Sequence, residues 1–187
     1  MFIESVSRRK QRLQEYAVYS AAFSYPNDAF FTFFPQLAEQ KKRIVKDHDV
    51  LFRQRGIWLY TTEYTAKGDF QKSYSLADIN GFYKAFGLQI TKERPDSLSV
   101  ELEFMHYLIF KAHHAASKDG DSGGKAEICL QAQCKFFNEY LYPGASSISH
   151  KIVGLNEGTF YEDIGQEMLC FLDEEKKILE TDERCPK

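Results

Sequence analysis

Apolar residues return at helical spacing in every long segment of this chain, and no alternating run of β-branched residues lasts beyond a few positions, so the pattern predicts an all-α protein. Helices are expected over residues 4–23, 28–33, 36–54, 57–66, 76–86, 97–117, 124–141, 146–153 and 159–180. Punctuation marks their ends: Pro26-Asn27-Asp28, Pro35, Gly56, Gly68, Gly87, Pro95, Pro143-Gly144, and Thr159 with Glu162 as a capping box. Ser75 with Asp78 reads as the cap of the fifth helix, whose apolar positions are Leu76, Ile79, Tyr83 and Phe86. The segment 117–125, SKDGDSGGK, reads as a flexible loop between two helices. Nine helices without an internal repeat make one domain over residues 1–187, a single helical bundle.

The helix from Ser97 to Ala116 carries two apolar faces. Leu98, Leu102, Met105, Ile109 and Ala112 form one stripe, and Val100, Tyr107 and Phe110 form a second, so the helix is expected to be buried on two sides. Glu101 falls within the first stripe, about 40° from Met105 on a helical wheel, which aims a carboxylate at the interior. A carboxylate there is protonated, paired, hydrogen-bonded, or open to a cleft that receives a cation. Asp96, directly after Pro95, sits where an Asp caps free backbone N–H groups and can still present charge.

Composition narrows the function. With 187 residues the chain can bury a core of ordinary size. Its 24 basic and 27 acidic residues leave a net charge of −3, so no global field favours nucleic acid or a membrane surface. No apolar run approaches the roughly 18 residues of a membrane span. Ser7-Arg8-Arg9 imitates an export signal, but an amphipathic pattern follows it (Leu13, Tyr16, Ala17, Ser20, Phe23) instead of an apolar segment. The two arginines are therefore expected on the exposed first turns of helix one. Cysteines at 129, 134, 170 and 185 show no metal-site spacing. Cys129 and Cys134 point about 140° apart on one helix, and the expectation is reduced, mostly buried thiols.

Catalytic motifs fail one by one. In the segment from Asp119 to Ala126 a phosphate loop would need glycine first and a hydroxyl last, and this chain has Asp119 and Ala126 there. Glu103 and His106 give one E-x-x-H, whereas a di-iron bundle needs two. His113 and His114 suit a helix C-terminus. No nucleophile elbow or dinucleotide loop is present. No cofactor and no metal are expected.

Two blocks, LADINGFYKAFGL at 76–88 and ERPDSLSVELEFM at 93–105, carry a sharper signal. They resemble the TorD/DmsD/NarJ-type chaperones that mature molybdenum-containing oxidoreductases, whose members typically show L-A-D-x-x-G-F-Y-x-A-F-G-L followed by E-R-P-D-H-L-x-x-E-L-E-F-M. YAVYSAAFSYP at 16–26 is similar to the family's first helix, and Glu63-Tyr64-Thr65 to its E-Y-T segment. Two positions depart from the pattern: Ser97 replaces the usual histidine, and FQKSY at 70–74 replaces a proline-rich segment found in some branches. No role for that histidine is carried over.

The resemblance implies an all-helical cytoplasmic chaperone without catalytic activity. Its partner would be the apo catalytic subunit of a molybdopterin-dependent oxidoreductase, held with its N-terminal twin-arginine leader until the cofactor is inserted. Nucleic acid and membrane insertion have no place in that role, while a homodimer is compatible with it. Asp96, with Glu93 and Glu101, would form an acidic rim for the leader's arginines through bidentate contacts, with Ser97 beside them in the peptide-binding site. The leader's apolar part would need a groove, and among 16 Phe, 11 Tyr and one Trp the candidates are Trp58 and Tyr64. The alternative is a delta-type subunit that stays in the mature complex; co-purification with the client separates the two.

Overall fold

The computed structural model describes residues 6–117 and 124–185. The expected loop at 117–125 falls largely on residues outside that range. Among the described residues there are nine α-helices: α1 (Val6–Ala22), α2 (Asp28–Phe33), α3 (Lys41–Asp49), α4 (Thr62–Thr65), α5 (Asp69–Ala85), α6 (Leu98–Ser117), α7 (Lys125–Phe136), α8 (Tyr142–Val153) and α9 (Phe160–Thr181). The only pairing of β type among them is an isolated antiparallel bridge between Tyr60 and Ser97. None of these helices is long and apolar enough to cross a membrane.

α6 is the central element. It packs on α1 on one side and α7 on the other, while α8 lies along α9. The stripe Leu98, Leu102, Met105 and Ile109 is buried, as its spacing predicts. The second face is only partly covered: Val100 and Tyr107 pack at the edge of the core, and Phe110 is 52 % exposed. Around Phe104 the core is aromatic, with Tyr83 and Phe136 each 4.8 Å away, centroid to centroid, in edge-to-face contact.

Local chemistry explains several ends. Thr159 accepts from the Glu162 N–H at 3.3 Å, and Glu162 Oε2 accepts from the Thr159 N–H at 3.1 Å, the reciprocal box expected for α9. α5 ends in a Schellman turn. The Leu88 N–H donates to the Tyr83 carbonyl and the Gly87 N–H to that of Lys84, with Gly87 at φ 75°, where an L side chain would be strained.

Other boundaries differ from the expected ones. α5 begins at Asp69, seven residues early relative to the expected 76, so Ser75 and Asp78 lie inside it and FQKSY is helical. Residues 57–61 are not helical; only Thr62–Thr65 makes one turn. The expected helix 36–54 is a 3₁₀ segment (Pro35–Gln40), α3, and a π turn (Val50–Gln54) in succession. Pro143 does not break the chain either. A second π turn (Phe137–Leu141) leads from α7 straight into α8, where Pro143 sits in the first turn.

Two long-range ties close the molecule. Arg12 on α1 donates from Nε to Glu175 Oε2 (2.8 Å) and from Nη2 to Oε1 (2.6 Å) on α9. Gln133 of α7 and the Tyr16 hydroxyl complete this buried cluster. Cys134 is joined to Cys185 by a disulfide that fastens the segment after α9 to α7. This corrects the expectation of reduced thiols for that pair, while Cys129 is buried and Cys170 is exposed. Cys185 lies beyond the last helix, so only the tertiary path of the tail brings it to Cys134.

Candidate functional site

The joint between α5 and α6 is held by its backbone first. The Thr61 N–H donates to the Asp96 carbonyl and the Leu98 N–H to that of Leu59, both at 2.9 Å. These bonds make the bridge that lays residues 59–61 beside 96–98. Tyr83 of α5 donates its hydroxyl to the Pro95 carbonyl at 2.7 Å. The proline-stopped segment is thereby fixed against both α5 and the start of α4.

Onto this frame the side chains add a charge network. Arg94 grips Asp96 with two parallel bonds, Nε to Oδ1 at 3.0 Å and Nη2 to Oδ2 at 2.8 Å. Its third nitrogen, Nη1, donates to Glu63 Oε1 at 3.1 Å, and its guanidinium lies 4.0 Å from the ring centroid of Tyr60. Lys72 of α5 pairs with the same Glu63 oxygen. The Thr62 hydroxyl donates to Asp96 Oδ2. The Lys72 contact, more than any other, holds the Glu63 carboxyl below the ordinary carboxylate range.

Asp96 and Glu101 are both fully buried. Glu101 accepts from the Thr61 hydroxyl at 2.7 Å through Oε1, and no protein group is bonded to Oε2. Burial pushes its carboxyl well above the usual value, and nearby Asp96 pushes in the same direction. As described, Asp96 is neutralised by Arg94 of its own chain, so neither of these carboxylates meets solvent directly.

The remaining expected residues divide by exposure. Ser97 is buried, its hydroxyl 3.2 Å from that of Ser99. Glu93 is exposed beside the Tyr60 hydroxyl. Trp58 is 51 % exposed, and its carbonyl accepts from the hydroxyl of half-buried Tyr64 at 2.9 Å. Two further aromatics outside the chosen pair, Phe70 and Tyr74, are 88 % and 64 % exposed, four apart on α5, and flank Lys72, which pairs with Glu63. Their spacing on one helical face was available, but placing α5 at 76 left them in a linker.

Arg94 is the other omission. It stands inside the quoted ERPD block, but its partner two residues away belongs to a non-helical turn, where periodicity says nothing about contact. A separate cavity of about 460 Å³ opens where α1, α6, α7 and α9 meet, lined by Arg8, Arg9, Arg12, His113 and Arg184 over Ile109 and Leu130. Asp182, which pairs with Arg184, lines it as well.

No curated protein matches the chain. The family described as nitrate reductase delta subunit matches residues 9–143, a span that runs from within α1 to the start of α8 and contains the whole joint. On that match the chain belongs to the nitrate reductase delta subunit family, the NarJ/TorD type of chaperones for molybdoenzyme maturation.

Proposed function

We propose that this protein is a cytoplasmic, non-catalytic chaperone that binds the apo catalytic subunit of a molybdopterin-dependent oxidoreductase, by its twin-arginine leader, until cofactor is inserted. The observation that carries the reading is the set of large apolar side chains left in solvent, Trp58, Phe70 and Tyr74, which flank in the chain Glu63 and its partner Lys72. Exposed aromatics beside charge suit a segment that is cationic at one end and apolar along the rest. Trp58 and Tyr64 would take the apolar part. Glu93 and Glu63 would meet the arginines, with Asp96 behind them; Ser97 and Glu101 would support the joint from beneath.

Calorimetry with a synthetic twin-arginine leader peptide tests this. A dissociation constant near micromolar, about −8 kcal/mol, is expected, strong enough to hold and weak enough to release. Trp58→Ala and Phe70→Ala are each expected to weaken binding about tenfold, the loss of roughly 1.4 kcal/mol of apolar contact. Unchanged affinity in both variants would refute the assignment of this surface. The family's name speaks of a subunit, and a protein that stays with the loaded oxidoreductase through purification would be one; a chaperone leaves.

A further inference from the structure

We propose that Asp96, Glu63 and the ring of Tyr60 form a receptor for a guanidinium group, which Arg94 of the same chain fills at rest and from which a client arginine displaces it. The receptor has the parts such a group requires. Asp96 offers two oxygens to the parallel N–H groups of the fork, Glu63 accepts from the third nitrogen, and Tyr60 supplies an aromatic face at 4.0 Å. An ammonium, with no planar fork, satisfies only part of this set.

Placement makes Arg94 a removable occupant. It lies in the non-helical segment between α5 and α6, and its side chain is 36 % exposed while that of Asp96 is 0 % exposed. The guanidinium is therefore the layer between Asp96 and solvent. Swinging it outward uncovers Asp96 without moving a helix. An arginine from another chain then makes the same bonds, so the exchange changes few contacts at the receptor. The net gain must come from elsewhere, and the exposed aromatics Trp58, Phe70 and Tyr74 are near enough in the chain to supply it. The arrangement rejects isolated arginines and admits one that brings an apolar segment. The choice of client arginine as incoming group rests on the leader reading given above; the receptor itself does not.

The experiment has two arms. In the first, Arg94→Ala is heated with ethylguanidinium or ethylammonium chloride. Ethylguanidinium is expected to raise the melting temperature by several degrees, ethylammonium is not, and wild type, whose receptor is filled, responds to neither beyond the salt effect. Arg94→Lys, which keeps the charge without the fork, takes the same titration if the alanine variant does not fold. Equal response to the two cations in the variant that folds overturns the receptor.

In the second arm, the synthetic leader peptide and its Lys-Lys counterpart are titrated into wild type and the Arg94 variant. Loss of the internal competitor is expected to tighten the Arg-Arg peptide about tenfold and leave the Lys-Lys peptide unchanged, because a site occupied by its own side chain binds a competitor more weakly by the fraction of time it is free. Equal affinity of the Arg-Arg peptide for both proteins overturns displacement. Guanidinium rescue with no peptide binding to either protein refutes the leader reading while the receptor stands.

Discussion

Glu101 shows how one buried side chain imposes a pH dependence. Its folded-state pKa is raised above the unfolded value, chiefly by burial, so the folded protein holds this proton more tightly than the unfolded chain. The associated stability is complete below the unfolded pKa and is lost as pH rises toward the folded one, by about 1.4 kcal/mol per pH unit in between. Glu101→Gln keeps the acceptor for Thr61 and cannot ionise. Urea denaturation from pH 5 to 8 should therefore show a stability difference in favour of the variant that widens as pH rises; a constant difference would mean that Glu101 titrates normally. The inward aim of this carboxylate was legible from its 40° offset to Met105. The same signal was present for Arg12, four residues before Tyr16, and for Glu175, between Leu172 and Leu179. Each is a charge inside an apolar stripe, but which charge meets which is a property of helix packing, and a single stripe does not contain it.

At the level of elements, long periodic helices were readable and the short connectors were not. α6 and α9 lie within a residue of their expected spans because a continuous stripe and, for α9, a capping box define them. The stretch 57–66 carries enough apolar residues to suggest a helix, yet its backbone is committed to the bridge with residues 96–98, a tertiary demand that overrides local preference. That commitment depends on Gly144. A Cβ at this position of α8 would stand 2.4 Å from the Thr61 Cβ and 2.8 Å from its Cα, so the glycine is what allows α8 to lie directly on the start of α4. Gly144→Ala adds helix propensity but forces the two segments apart, and the expected net loss is about 1–3 kcal/mol. A denaturation midpoint equal to that of wild type would show that the contact is looser than described. Because Thr61 also bonds Glu101 and the Asp96 carbonyl, the same substitution should weaken leader binding.

For the whole molecule, the Arg12–Glu175 pair ties α1 to α9 in a site that is buried on both sides. Arg12→Met leaves Glu175 without its cation and should cost about 3–5 kcal/mol, whereas Arg12→Met with Glu175→Leu should recover most of that loss. A thermodynamic cycle on the two single variants and the double variant measures the coupling; additive losses would refute a direct pair. The family's two blocks announced the joint, while nothing in the linear order announced the cavity, whose arginines come from both ends of the chain. The pair also spans 163 residues of sequence, so forming it closes a long loop, and that entropic cost is offset only once the rest of the core has brought α1 and α9 together.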